Sequence, residues 1–163
     1  MRHTTLPRLL CGLLLSCAPA LQAQTAAITI LPAGSQPTAA DPSHFTGSAQ
    51  VESRFSQTTP ARLGGGLVSF EPGARTAWHS HPLGQTLLVT AGEGWVQVWG
   101  GPVQTMRQGD VVLIPPGVKH WHGATASSSM SHFAVAEALD GNTVTWMEKV
   151  SAQVYGRNLL APE

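Results

Sequence analysis

Cysteine is nearly absent: Cys11 and Cys17 are the only two in 163 residues, and both fall within the first two dozen. The rest of the chain therefore has no disulfide to depend on and no thiolate to offer a metal. Charge is scarce as well. Charged residues make up 11% of the chain, nine acidic against nine basic, for a formal net charge of zero. With no basic cluster and no arginine-rich strip, the electrostatic footprint of a nucleic-acid-binding protein is missing. The chain also lacks an apolar run near the roughly twenty residues that a membrane-spanning helix needs. Neither a long helical period nor an internal repeat is present.

What is there is punctuation. Twelve prolines and seventeen glycines interrupt the sequence, at intervals of about ten residues, the spacing of a closed or double-sheet β fold. Candidate strands are Leu63 to Phe70, Thr86 to Ala91, Trp95 to Trp99, Val111 to Ile114, Lys119 to Gly123, Ser131 to Glu137 and Val144 to Val150. The first 23 residues have the layout of a secretory signal: a positively charged start through Arg8, an apolar run from Leu9 to Ser16, and small residues up to Ala23 for cleavage. On this reading the mature protein is exported to the periplasm and both cysteines leave with the leader. Leu14-Leu15-Ser16-Cys17 also resembles a bacterial lipoprotein signal, in which Cys17 is kept as a lipid anchor. The expected division is a signal peptide over 1–23, an arm or linker over 24–44, one domain over 45–156 and a tail over 157–163. About 140 residues after the leader suffice for a single core.

The chemistry concentrates in two segments. In Gly73-Ala-Arg-Thr-Ala-Trp-His79-Ser-His81-Pro-Leu-Gly-Gln85, the histidines stand two apart, so on a strand both imidazoles face one side. The turn at Pro82-Leu83-Gly84 brings Gln85 into the same space. The second segment, Gly109-Asp-Val-Val-Leu-Ile-Pro115-Pro-Gly117-Val-Lys-His120, is a hydrophobic strand, a Pro/Gly turn and a further histidine. His79, His81, Gln85 and His120 are thus four side chains suited to one divalent metal ion. Nitrogen and oxygen donors of this kind fit Mn2+, Fe2+, Co2+, Ni2+ or Zn2+ without choosing among them. His122 shares strand parity with His120, while Trp121 faces the other way. Three roles are open to it: a fifth ligand, a base beside the metal, or a buried imidazole satisfied by a hydrogen bond.

These two segments resemble the paired motifs of the cupin superfamily. Gly73, His79, His81, Gln85 and Gly92 fall on the first motif, and Gly109, Pro115, Gly117 and His120 on the second. Gln85 stands where glutamate is usual, and Ala124 where asparagine is usual. With no anionic ligand, the ion keeps its full charge, a stronger Lewis acid that lowers the pKa of a bound hydroxyl further. The same lack disfavours a trivalent metal and hence oxidative chemistry. The longer run from Phe70 to Trp95, together with Lys119-His120-Trp121-His122-Gly123-Ala124, Leu139-Asp-Gly and Trp146-Met-Glu-Lys149-Val, is similar to the small bacterial manganese cupins that include the (R)-selective hydroxynitrile lyases. That resemblance covers about Phe45 to Tyr155. It implies an all-β, single-domain jelly-roll barrel with an N-terminal arm, binding Mn2+ and acting as a lyase on a cyanohydrin or related small carbonyl adduct. It also implies His122 as the base, Val68 and His132 as pocket residues, and a homodimer or higher homo-oligomer. Two rivals stand beside it: a metal-dependent dioxygenase, and a non-enzymatic module that binds a small ligand in the periplasm.

Other residues have ordinary readings. Trp95 and Trp99 are expected to pack at the dimer face rather than line the pocket, Arg75 to be a solvated turn residue rather than to steer an anionic ligand, and Glu93 to sit exposed in a hairpin turn. His132 reads equally as core or pocket, and His3 and His44 carry no assigned role. The Gly64-Gly65-Gly66 run has no helix start after it and so is not a phosphate cradle. It is expected to bend an edge strand or to admit close backbone packing.

Overall fold

The computed structural model describes residues 28–32, 37–56 and 60–157. The leader with Cys11, Cys17 and His3, part of the arm, and residues 158–163 of the tail lie outside the described residues. All the strands lie in the compact unit that starts at Leu31. In chain order it contains β1 (Thr38–Ala39), β2 (Phe45–Thr46), β3 (Ala49–Ser56), β4 (Leu63–Phe70), β5 (Arg75–Thr76) and β6 (His79–Ser80). There follow β7 (Gln85–Val98), β8 (Val103–Arg107), β9 (Val111–Ile114), β10 (His120–Ala124), β11 (Met130–Glu137), β12 (Thr145–Trp146) and a short helix α1 (Ala152–Arg157). Among the described residues no helix is long and apolar enough to cross a membrane.

Every strand pairing is antiparallel. The path runs β1-β3-β4-β11-β7-β10-β5-β2, with β8 and β9 on β7, and β6 joining β10 to β12. The sheet curls into the all-β jelly-roll barrel expected from the sequence. Its pivot is β7, whose first half pairs with β11 and β9 and whose second half pairs with β10 and β8. The two stretches expected as separate strands, Thr86 to Ala91 and Trp95 to Trp99, are therefore one element, and Glu93 lies within it rather than in a hairpin turn. The cause is Gly92. Its φ is +71°, and a Cβ there would fall 1.9 Å from the Ser129 carbonyl oxygen, so the strand bends between sheets at a position open to glycine alone. Glu93 pairs with Arg107 at 2.9 Å.

Alternation along β7 buries Leu87 and Val89 while leaving Leu88 and Thr90 exposed, the period of a strand with one face on the core. Inside the barrel Phe70, Leu87, Val89, Met106, Ile114 and Met130 pack together. A second cluster, Trp78, Trp121, Val150 and Tyr155, forms on the outer face of β10, where the C-terminal segment lies. Trp95 packs against this cluster, and Trp99, though exposed, meets the Trp78 ring edge-on at 4.9 Å beneath the Lys119 ammonium. Covered on both sides, β10 is buried along its whole length. The strands β3 and β8, and the two-residue strands β1, β2 and β5, were not expected from the sequence. The stretch from Val144 to Val150 forms a ladder at Thr145–Trp146 alone. β4 lies between β3 and β11, so its glycine run is no edge; the Phe55 and Phe133 rings close on Gly65 instead.

Candidate metal centre

The residues of the two motifs arrive on or beside three strands. His79 is carried by β6, His81 follows it directly, Gln85 opens β7 and His120 opens β10. The pairing of β10 with β6 sets His120 opposite His79, and their ring centroids are 4.2 Å apart. The His81 ring stands 5.2 Å from that of His79 and 5.7 Å from that of His120. The Gln85 Oε1 atom is 3.2 Å from His120 Nε2. The four side chains that the sequence grouped are thus gathered at one place. His122 joins them: one ring nitrogen each from His79, His120 and His122 lie within 4.8 Å of one another.

Hydrogen bonding decides which nitrogens are free. Nδ1 of His79 faces the Ala77 carbonyl at 2.9 Å, Nδ1 of His81 the Thr143 carbonyl at 2.7 Å, and Nδ1 of His120 the Val118 carbonyl at 2.9 Å. A carbonyl only accepts, so in each neutral ring Nδ1 carries the proton and Nε2 presents a lone pair. His81 Nε2 and His122 Nε2 are buried without a hydrogen-bond partner. His120 Nε2 and Gln85 Oε1 then face each other as two acceptors, a contact relieved by a cation or by rotation of the amide. Backbone carbonyls that fix the tautomer while Nε2 atoms converge are the outer support a histidine metal site requires. The residues present fit a divalent ion held by His79, His81, Gln85 and His120, with His122 alongside.

Electrostatics points the same way. All five buried histidines have pKa values below the ordinary imidazole range. Burial dominates in each case, and the charge of neighbouring imidazoles adds to it for His79, His120 and His122. His120 and His132 are lowered to about 4. At neutral pH these rings are neutral, with one nitrogen free of a proton, the form that ligation demands.

A cavity of about 600 Å³ opens onto this group. His79, His81, Gln85, His122 and His132 line its polar end, and Val68, Phe45, Phe55 and Trp146 its apolar wall. Val68 is paired in register with His132 across β4 and β11. His120 does not face this cavity; it borders a separate groove of about 360 Å³ between β8 and β9. His132 Nε2 and His122 Nδ1 are 3.1 Å apart, and both rings are buried. This histidine pair was not foreseen, although strand parity could have found it, since the two residues project into one barrel from different strands. Trp146, also unforeseen, is wedged between rings: His44 stacks on it at 4.5 Å and His79 lies 4.8 Å away. Arg75 departs from its expected reading altogether. It is 7% exposed, because its guanidinium lies between the Val150 and Gly73 carbonyls and the Tyr155 ring.

Fold and site together define a small antiparallel β-barrel whose interior gathers imidazoles suited to a metal ion. The chain belongs to the cupin family, and the cupin domain matches residues 66–136. Over 125 residues it is 52% identical to an (R)-mandelonitrile lyase of Granulicella tundricola, a match covering 76% of this chain and 95% of that protein. Among solved structures, a cupin-like protein from Thermotoga maritima shares the fold with a TM-score of 0.71 at 34% identity, over 78% of this chain and 96% of that one. A shorter match of 68 residues, 40% identical, is to an acireductone dioxygenase of Trichormus variabilis; it covers 39% of this chain and 37% of that protein.

Proposed function

We propose that this cupin is a metal-dependent lyase that cleaves the carbon–carbon bond of a cyanohydrin or a related small carbonyl adduct. One observation carries the reading: His122 Nε2 is buried, unpartnered and beside the gathered imidazoles, at the polar end of a cavity large enough for a small aromatic molecule. The 52% identity to an (R)-mandelonitrile lyase supports the choice of reaction.

Cleavage requires the hydroxyl proton to leave, the bond to the nitrile carbon to break, a carbonyl to form and cyanide to gain a proton. A divalent ion held by His79, His81, Gln85 and His120, taken as Mn2+, supplies Lewis acidity that lowers the pKa of a hydroxyl placed beside it. His122 accepts that proton at Nε2 and returns it to the departing cyanide. The tautomer that leaves Nε2 basic is the one in which His122 Nδ1–H donates to His132 Nε2, so His132 orients the base. Val68, Phe45, Phe55 and Trp146 exclude water from the carbon end of the substrate. Export to the periplasm and assembly as a homodimer belong to the same proposal. The leader's layout supports the first, and the exposed Leu88, Val111 and Leu113 on β7 and β9 support the second.

The test is cyanide release from each enantiomer of mandelonitrile by metal-stripped protein, with and without added Mn2+. Manganese-dependent release favouring the (R) form supports the proposal. Full metal occupancy with no release above the stripped protein refutes it. The partial match to an acireductone dioxygenase supports a second reading, which predicts oxygen uptake with Fe2+ in the same preparation.

A further inference from the structure

The backbone of His122 is held in an unusual way. On the side away from β7, β10 pairs with β6 at His120 and with β5 at Gly123. At His122, between these two, the amide donates to a side-chain hydroxyl rather than a strand carbonyl: Thr76 Oγ1, at 3.1 Å. The same hydroxyl donates back to the His122 carbonyl at 3.2 Å. The base proposed above is thus fixed to its neighbouring strand by one threonine side chain. Strand β5 is only two residues long; β2 pairs with it on one side, at Phe45 and Thr46, and β10 on the other at Gly123, so the Arg75 side chain is a further anchor on a short element that carries Thr76.

Adjacent residues of a strand point to opposite faces. Thr76 lines the cavity, while Arg75 turns outward into the second core. Its guanidinium donates through Nη2 and Nε to the Val150 carbonyl, at 3.1 and 3.4 Å, and through Nη1 to the Gly73 carbonyl at 3.1 Å. It also lies 4.4 Å over the Tyr155 ring, and the Tyr155 hydroxyl donates to the Ala124 carbonyl on β10 at 3.0 Å. Gly123 lets the two strands meet this closely, since a Cβ there would fall 2.6 Å from the Arg75 Cα. A planar cation with several donors can bridge two carbonyls and stack on a ring at once; an ammonium cannot.

We propose that Arg75 is a positioning residue for His122: it clamps β5 between the C-terminal segment and β10, so that Thr76 holds the His122 backbone in place. The inference rests on the reading of His122 as the base, but its effect on the backbone is measurable without turnover.

The test compares the wild-type protein and Arg75→Lys, each loaded with zinc as a diamagnetic probe. Amide hydrogen exchange is read at His122 and at Phe133, which lies on β11, away from the clamp. Exchange at His122 is expected to rise about tenfold with Phe133 unchanged and zinc content equal. In the manganese-loaded protein, kcat for cyanide release is expected to fall about tenfold while KM stays within twofold. Unchanged exchange at His122, or equal acceleration at both sites, overturns the proposal, the second because it marks general loosening. If the wild-type protein releases no cyanide, the lyase reading falls and the exchange data still decide the positioning role. Should Arg75→Lys not accumulate as folded protein, Tyr155→Phe keeps the ring beneath the guanidinium and frees the Ala124 carbonyl. It is expected to show the same local signature at about threefold, and its absence overturns the proposal equally.

Discussion

The metal-free protein should be acid-sensitive in a way that one residue can report. His132 is fully buried, and burial lowers its pKa from the ordinary 6.5 to about 4 in the folded protein. By linkage, well above pH 6.5 this ring is neutral in both the folded and the unfolded state. As pH falls through 6.5 the unfolded chain gains a proton that the folded one refuses. Stability is lost until the folded ring also titrates near 4. With those two values His132 costs about 2 kcal/mol by pH 5 and about 3 kcal/mol by pH 4. That is a substantial part of the roughly 5–15 kcal/mol that stabilises an ordinary domain. The perturbation is His132→Asn, which keeps a polar side chain and removes the titration. The assay is urea unfolding at pH 7, 6, 5 and 4.5 with chelator present throughout, read by tryptophan fluorescence. The quantity compared is the loss between pH 7 and 5 in each protein, so a constant destabilisation by the substitution cancels. The wild-type protein should lose about 2 kcal/mol more than the variant over that interval. Losses that agree within about 0.5 kcal/mol would refute the argument and show that His132 keeps a near-ordinary pKa when folded.

Three further outcomes are expected. His122→Ala should retain its metal, because four other ligands remain, and lose at least about a hundredfold in kcat for cyanide release; retained turnover removes His122 as the base. Trp121→Phe should cost about 2 kcal/mol in urea unfolding, since it breaks the 2.7 Å bond from Nε1 to Gln97 Oε1 and leaves space in the second core, and a cost under about 0.5 kcal/mol would show that the pocket collapses without penalty. Adding Mn2+ at about a thousand times its dissociation constant to the stripped protein should raise stability by about 4 kcal/mol, visible as a higher melting temperature, and an unchanged melting curve would argue against a site preformed in the native state.

Local signals in the sequence go far where the structure is local. The alternation of His79 and His81, the Pro/Gly turns, and the strands Leu63–Phe70 and Val111–Ile114 follow from neighbouring residues, and the fold class was legible from their rhythm. The gathering of Gln85 and His120 beside the histidine pair came from motif spacing. Arg75 was misread because burial of an arginine normally requires a carboxylate, whereas here its main acceptor is the carbonyl of Val150, 75 residues away. No side-chain pattern marks a backbone acceptor. Glu93 was misplaced because a glycine between two apolar runs ordinarily signals a turn. Gly92 instead bends one strand across two sheets, a distinction fixed by Ser129 on the neighbouring chain segment. Strand parity places His122 and His132 in one interior, but their contact depends on the register of β11, which neither strand encodes alone.

The passage of β7 through both halves of the barrel has a consequence for how the molecule comes apart. A sandwich whose sheets share only loops can lose one sheet while the other survives, and such partial openings set the slowest exchange in each half separately. Here the strand that begins with Gln85 in one sheet ends at Val98 in the other, and each half of it supplies a partner to two further strands. Pulling β11 away strips a neighbour from the first half of the same strand whose second half braces β10. The two halves therefore form one cooperative unit, and unfolding of the barrel and release of whatever its histidines hold should proceed as a single event.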